Sequence, residues 1–240
     1  MKLHVIGSSP AWPNPGGAQS GYLVEGEGRL LLDCGPGVLA RLRERESWPA
    51  LDAIAITHFH LDHWGDLVPW VWGTAFGLGR DTSAPELWLP PGGAAHLRRL
   101  GDDLGRQDMF DRAFSVREYS GGQRFTAAGF DVTPTRVLHY DLETYGFRVT
   151  DGKTVLAYSG DSGPCPQLAE LAAGADLFLC EATLQDAASE GDPRGHLTVE
   201  EATGAFRESG AARLLLTHRP QELGLDGSVE QASDGLELEV

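Results

Sequence analysis

The stretch ITHFHLDHWGD, residues 56–66, constrains the fold of this chain most, because it places four metal-binding side chains directly after an apolar run. His58 and His60 alternate on an extended chain, so both side chains point the same way and can bind one ion. The chain then turns, which lets Asp62 and His63 face a second ion. Imidazole and carboxylate are natural ligands of Zn²⁺ and also suit Mn²⁺ or Fe²⁺. A solvated polar loop is the ordinary alternative, but the pattern favours metal binding at a strand end.

Three further strand ends supply the ligands that this stretch lacks. His139 follows TPTRVL, Asp161 closes TVLAYSGD and His218 closes ARLLLTH. Binding sites are commonly built where a rigid strand gives way to a loop. Each residue alone could be a helix cap or a surface polar group. Together they complete two coordination spheres, so we interpret them as one set.

Short strand-like runs dominate the chain, with helical stretches set between them in both halves. This pattern predicts an α/β (α+β) fold of two mostly antiparallel sheets packed face to face, with helices on the outside. The absence of a composition shift or a Pro/Ser-rich linker predicts a single domain over residues 1–240. The predicted strands are 2–7, 21–26, 29–34, 52–58, 86–90, 114–120, 130–137, 144–150, 153–161, 176–183, 213–218 and 234–240, and the predicted helices are 37–46, 92–100, 164–173 and 198–209.

Composition and charge narrow the classes of partner. The 240 residues are 41% hydrophobic, which is enough for a sizeable core, and the 19 basic and 35 acidic residues give a net charge of −16. Such a surface repels polyanions, so large nucleic acids are disfavoured as partners. The three cysteines show no CxxC spacing, and no apolar run is long enough for a membrane span. We expect a soluble cytoplasmic protein with free thiols and no membrane partner.

In these residues and their order, the chain resembles the metallo-β-lactamase superfamily, from Asp33 after the third strand to His218. The resemblance implies a four-layer αββα sandwich with a dinuclear metal centre at one edge, with Zn²⁺ expected and Mn²⁺ or Fe²⁺ as alternatives. His60 stands where the oxygen-reducing diiron branch has glutamate, which favours hydrolysis. The resemblance assigns His58, His60, His139 and Asp161 to metal one and Asp62, His63, Asp161 and His218 to metal two, with Asp33 orienting the motif by hydrogen bonds.

The stretch PRGHLTVEEATGAF, residues 193–206, holds a histidine that no metal requires. Thr198 and Glu201 have the spacing of a capping box at the start of a helix. His196 could be an ordinary residue before that helix. However, the pair formed by EAT (181–183) and GHLT (195–198) resembles the phosphodiesterase branch, which includes ribonuclease Z and small cyclic phosphodiesterases. The resemblance implies that His196 is the general acid and Glu181 its partner, whereas His4 and His96 are expected to be packing or solvated histidines.

The length of the interval between His139 and Asp161 distinguishes between members of the phosphodiesterase branch. Ribonuclease Z carries a long tRNA-gripping arm there, whereas this chain has only 21 residues, enough for a hairpin. The chain therefore resembles the compact bacterial phosphodiesterases, some of which hydrolyse cyclic nucleotides. We expect hydroxide held between two metal ions, with Asp62 among the catalytic residues, to attack a small phosphodiester. The alternatives are hydrolysis of a lactone, thioester or sulfate ester at the same centre and, with less support, tRNA 3′-end processing.

Two segments near the motif allow different interpretations. An aromatic cluster after the motif could line a pocket and stack on a base; it consists of Trp64, Trp70, Trp72 and Phe76. Such a cluster is more often part of the core or a homodimer contact, and we favour the homodimer contact. The apolar 68–78 segment and the family together suggest a homodimer. Residues 106–114 could be a lid over the site or an ordinary surface helix.

Overall fold

Two seven-stranded sheets form the centre of the protein in a computed structural model that describes residues 1–224, 227 and 229–240. Within the described residues the strands are β1 (Lys2–Gly7), β2 (Gly21–Glu25), β3 (Arg29–Leu32), β4 (Ala53–Ala55), β5 (Glu86–Leu89), β6 (Ser115–Glu118), β7 (Phe125–Ala127), β8 (Phe130–His139), β9 (Leu142–Thr150), β10 (Val155–Tyr158), β11 (Leu177–Glu181), β12 (Leu214–Thr217), β13 (Glu230–Gln231) and β14 (Glu237–Glu239).

Seven α-helices connect these strands in the described part of the chain. The four helices predicted from periodicity are all present. The helix over residues 67–76 was not predicted, because its run LVPWVW is rich in aromatic and β-branched residues, which favour strands. The helix over residues 61–64 was not predicted because four residues are too few to show helical periodicity. The helices are α1 (Val38–Arg45), α2 (Leu61–Trp64), α3 (Leu67–Phe76), α4 (Gly93–Asp103), α5 (Met109–Ala113), α6 (Gln167–Leu171) and α7 (Val199–Ser209).

Both sheets are mixed, which corrects the expectation that they are mostly antiparallel. The strand orders are β14-β1-β2-β3-β4-β5-β6 and β13-β12-β11-β10-β9-β8-β7. In each sheet three strand pairs are antiparallel and three are parallel. Five of the six parallel pairs join consecutive strands that a helix connects, as α1 connects β3 to β4 and α7 connects β11 to β12, because a helical crossover returns the chain to the same starting edge.

The predicted order of layers, helices on both outer faces of two stacked sheets, is confirmed. One core lies between the sheets, one between the first sheet and α1, α3, α4 and α5, and one between the second sheet and α6 and α7. Alternation along each strand divides its residues between two cores. In β11, for example, Leu177 and Leu179 face the other sheet, whereas Phe178 and Cys180 face the helices.

The aromatic run after the metal motif is mostly core. Trp64 and Trp70 are buried among the apolar residues beneath the first sheet, so they offer no wall for a nucleobase. Trp72 stacks on Phe76, which is 63% exposed at the end of α3.

Residues 106–114 contain α5, whose Met109 and Phe110 are buried in the same core. The segment is therefore an ordinary packed helix and does not suit the role of a lid.

No helix within the described residues combines the length and apolar character needed to cross a membrane.

Candidate metal centre

The carboxyl ends of six strands meet at one edge of the sandwich, and each carries a side chain of the candidate site. Neighbouring parallel strands end at the same edge, which is why residues far apart in sequence converge there. The side chains are those of Asp33 after β3, His58 after β4, His139 at the end of β8, Asp161 after β10, Glu181 at the end of β11 and His218 after β12.

Three residues at this edge have backbone φ angles in the left-handed region, which residues other than glycine seldom adopt. Asp33, Tyr140 and His218 have positive φ angles of 59°, 48° and 53°. Residues held in this left-handed region cost free energy, and they concentrate at functional sites where the surrounding structure enforces them. The turns that aim the site residues are therefore built into the backbone.

The predicted ligands form two groups that share one carboxylate. In each group the candidate ligand atoms all lie within 4.8 Å of one another. Oδ2 of Asp161 is 3.1 Å from Nε2 of His63 and 3.8 Å from Nε2 of His58, so this oxygen lies between the groups. The first group is His58, His60, His139 and Asp161, and the second is Asp62, His63, Asp161 and His218. These sets match the two coordination spheres that the sequence suggested.

The one-turn helix α2 brings Asp62 and His63 to the second group. The backbone amide of Cys34 donates to the carbonyl of His63 at 2.7 Å, which fixes α2 against the loop after β3. Gly35 is needed in that loop, because a Cβ atom there would lie 1.9 Å from the carbonyl oxygen of Asp62.

Hydrogen bonds on the far side of the imidazole rings orient the histidines. Nδ1 of His139 donates to the carbonyl oxygen of Gly195 at 2.7 Å, and Nδ1 of His63 lies 2.7 Å from Oδ2 of Asp33. Asp33 in turn accepts from the Tyr158 hydroxyl at 2.8 Å. Metal-binding histidines in proteins are usually held in this way, which leaves Nε2 facing the ion.

Two threonines complete this outer layer, and the sequence reasoning missed both. Oγ1 of Thr57 lies 3.0 Å from Nδ1 of His58, and Oγ1 of Thr183 lies 2.8 Å from Nδ1 of His218. The only sequence signal was their position, directly before the histidine motif and at the end of EAT. Threonine is common at strand ends, so position alone was too weak a signal.

Buried polar atoms without partners test whether these residues suit a metal. Nε2 of His58 and Oδ1 of Asp161 are buried and have no hydrogen-bond partner among the described residues. Leaving such an atom unsatisfied costs roughly 1–3 kcal/mol. Both atoms belong to the candidate ligand groups, so the site fits divalent cations.

The protonation of three histidines also fits metal binding. Burial lowers the pKa of His58 well below its usual value, lowers that of His60, and lowers that of His139 to about 4. These rings are therefore neutral at physiological pH. Neutral imidazole is the form that binds a metal, so no proton has to be displaced.

His63 shows the opposite shift, for a reason that also favours cations. Burial lowers its pKa, but the carboxylates of Asp161, Asp33 and Asp62 outweigh burial and raise the pKa well above its usual value. The three aspartates are themselves buried. This concentration of buried negative charge requires compensating positive charge, which a metal ion supplies.

His196 and Glu181 lie beside the two ligand groups as a hydrogen-bonded pair. Nδ1 of His196 is 2.9 Å from Oε1 of Glu181, and the His196 ring centre lies 5.0 Å from that of His139 and 5.6 Å from that of His218. Burial lowers the pKa of His196, but the charge and hydrogen bond of Glu181 outweigh it and raise the pKa to about 9. The imidazole is thus protonated at neutral pH, while bound metal ions would oppose this rise.

Glu181 also ties together the loops that carry the site. Its Oε1 accepts from the backbone amide of Ser162 at 3.0 Å, and its Oε2 accepts from the amide of Thr183 at 3.0 Å. Candidate ligand atoms of Glu181, His196 and His218 also lie within 4.8 Å of one another. Protein donors already occupy both oxygens of Glu181, so this cluster is less suited to a metal ion than the two groups above.

The loop before α7 is fixed on both sides of His196. The predicted capping box is confirmed, because the amide of Glu201 donates to Thr198 Oγ1 and the amide of Thr198 donates to Glu201 Oε2. On the other side, Oε2 of Glu190 accepts from the amides of Gly195 at 2.9 Å and His196 at 3.2 Å. Sequence reasoning missed Glu190, which lies in a Gly- and Asp-containing loop without periodicity.

The two remaining histidines have ordinary surroundings, as expected. The ring nitrogens of His4 lie 2.7 Å from a carboxylate oxygen of Glu25 and 3.0 Å from one of Glu237. The ring of His96 packs 4.5 Å from that of Phe59.

Comparisons with known proteins find relatives that match nearly the full length of the chain. A family model described as "Beta-lactamase superfamily domain" matches residues 28–219. An uncharacterized protein of Mycobacterium leprae is 34% identical over 97% of this chain and 82% of its own length. The probable metallo-hydrolase YhfI of Bacillus subtilis is 31% identical over 92% of this chain and 87% of its own length. The crystal structure of YhfI, a metallo-β-lactamase fold protein, superposes with a TM-score of 0.84 at 28% identity and covers 99% of both chains. A ribonuclease Z of Mycobacterium bovis is 28% identical over 96% of this chain and 90% of its own length.

Proposed function

This chain belongs to the metallo-β-lactamase superfamily, in its ribonuclease Z-like branch, and on that premise we propose that it is a metal-dependent phosphodiesterase. The proposed substrate is a small phosphodiester, with cyclic nucleotides as the leading candidates. The proposed metals are two divalent ions, Zn²⁺ foremost, because the donors are imidazole nitrogens and carboxylate oxygens.

The observation that carries this proposal is the His196–Glu181 pair beside the ligand groups. An alkoxide leaving group needs a proton as its bond to phosphorus breaks. The predicted ligands are directed at the two metal groups, so none of them is free for this task. His196 is held by Glu181 through Nδ1, which leaves Nε2 for the leaving group.

The residues divide the reaction between them. Two metal ions bound at these groups would generate a water-derived nucleophile and neutralise charge on the phosphoryl oxygens. His196 holds the proton at Nε2 and transfers it to the leaving-group oxygen. Glu181 keeps the ring oriented and stabilises its charged form. The outer hydrogen bonds of Asp33 and Thr183 keep His63 and His218 in place during this transfer.

Processing of tRNA has less support, although one relative is a ribonuclease Z. Residues 140–160 form β9, a turn and β10, which leaves no inserted arm between His139 and Asp161. The net charge of −16 also opposes binding of a large polyanion. The alternative of lactone, thioester or sulfate ester hydrolysis is disfavoured by the His196–Glu181 pair, because acyl hydrolysis at such a centre has less need of a separate donor.

The test is a substrate panel on the metal-loaded protein. Hydrolysis of bis(p-nitrophenyl) phosphate is expected with Mn²⁺ or Zn²⁺, and a chelator is expected to abolish it. Cyclic mononucleotides, cyclic dinucleotides, lactones and a precursor tRNA complete the panel. A higher kcat/KM for lactones than for any phosphodiester would contradict the proposal, as would cleavage of the precursor tRNA in preference to small diesters.

A further inference from the structure

Tyr140 places an aromatic ring directly beside the proposed proton donor. It follows His139 at the end of β8, and its ring centre lies 5.9 Å from that of His196 and 6.4 Å from that of His60. The side chain is nevertheless 38% exposed. An aromatic surface is therefore open to solvent between a candidate metal ligand and the group that protonates the leaving group.

Neighbouring residues hold this ring in one orientation. The Tyr140 hydroxyl donates to Oε1 of Glu190 at 2.6 Å. Gly195 packs against the ring so closely that a Cβ atom there would lie 2.2 Å from a ring carbon. Glu190 also accepts from the amides of Gly195 and His196, so one carboxylate fixes both the ring and the loop that carries His196. The ring is thus pre-organised for contact with a ligand.

We propose that Tyr140 is a specificity-determining residue that contacts the leaving group of the substrate and favours one with a planar, uncharged ring. The leaving-group oxygen must come within hydrogen-bond reach of Nε2 of His196, because Nδ1 is bound to Glu181. The substituent on that oxygen then lies next to the Tyr140 ring. This inference rests on the proposed function in one respect, namely that His196 donates a proton to the leaving group.

The chemistry of the ring and its surroundings defines the class of leaving group. Aromatic rings stack on planar groups such as nucleobases and aryl rings. Glu190 beside the ring and the net charge of −16 oppose an additional phosphate at this position. The tryptophans Trp64 and Trp70 are buried in the core, so they cannot serve this purpose. A nucleoside or aryl group fits this position better than an alkyl or anionic one.

Binding of two phosphonates, which need no turnover, tests the inference. Phenylphosphonate and methylphosphonate differ in the planar ring, and calorimetry on the metal-loaded full-length protein measures their affinities. The wild type is expected to prefer phenylphosphonate by about tenfold, within the range typical of base–aromatic stacking. Tyr140→Ala is expected to remove this preference, and Tyr140→Phe to retain it within about twofold. Leu138→Ala is the matched control, because Leu138 lies on β8 two residues before Tyr140 and is 37% exposed, and it is expected to keep the preference.

The outcomes separate this inference from the proposed function. Equal affinities in the wild type, or an undiminished preference in Tyr140→Ala, would overturn the inference whatever the enzyme hydrolyses. A phenyl preference that depends on Tyr140, in a protein that hydrolyses no phosphodiester, would refute the proposed function and leave the aromatic contact standing. If Tyr140→Ala fails to fold or to bind metal, Tyr140→Leu keeps the volume without the aromatic face and gives the same test.

Discussion

Replacing His196 by alanine is expected to lower turnover by about 10²–10⁴-fold while the protein keeps its metal ions. His196 lies outside both four-residue ligand groups, so its loss removes the proton donor and leaves the metal centre intact. Turnover is measured on two diesters, one with p-nitrophenol and one with an aliphatic alcohol as the leaving group. The loss is expected to be larger for the alcohol, because a more basic leaving group depends more on protonation.

Two further variants sharpen this test. Glu181→Gln is expected to lower turnover less than His196→Ala, because the imidazole remains but loses the carboxylate that orients and charges it. His96→Ala is the control, since His96 belongs to none of the ligand groups and packs against the rings of Phe59 and Trp64, and it is expected to leave turnover unchanged. Equal losses on both diesters, or loss of metal from His196→Ala, would show that His196 has a structural role and is not the proton donor.

Replacing Asp161 by asparagine is expected to weaken binding of both metal ions by more than about 100-fold, and activity should fall with it. Substitutions in the outer layer of metal sites typically cost 10–100-fold, and Asp161 lies in the inner layer of both groups. The amide removes the negative charge that both groups share. Metal content by mass spectrometry and turnover at saturating metal are the measurements.

Thermal stability provides an independent readout for the same variant. Added metal is expected to raise the melting temperature of the wild type and to have little effect on Asp161→Asn, because only a bound ligand stabilises the folded state. Asp131→Asn is the matched control, since it removes an aspartate charge on β8 that pairs with Arg124 at the surface. Two ions still bound with unchanged affinity in Asp161→Asn would contradict the assignment of Asp161 to both groups.

The site residues could be proposed from the sequence because their signals are local. The spacing of His58, His60, Asp62 and His63 after an apolar run restricts where the side chains can point over a few residues. The layer architecture was also predictable, since alternating strands need two apolar faces to bury. The parallel strand pairs were not, because strand direction depends on how α1 and the other connections return across the sheet.

Tyr158, Tyr140 and Glu190 support the site but could not be identified from the sequence, for a related reason. Tyr158 and Asp33 are 125 residues apart and form a hydrogen bond of 2.8 Å only because both sheets face one core. Tyr140 and Glu190 lie 50 residues apart and meet beside His196. The sequence around Tyr140 and around Glu190 does not distinguish these two residues from ordinary loop residues.

The sequence by itself therefore indicated the histidines and aspartates at strand ends and the order of layers, whereas their division into two ligand sets and the candidate proton donor came from the family resemblance. Only the tertiary structure decided the distances that place Asp161 between the two groups, the hydrogen bonds of Thr57 and Thr183 to the histidines and the aromatic ring beside His196. The physical reason is the distance along the chain over which each kind of interaction acts. Alternation and helical periodicity act over a few residues, whereas the contacts that aim a catalytic group join strand ends that are close in space and far apart along the chain.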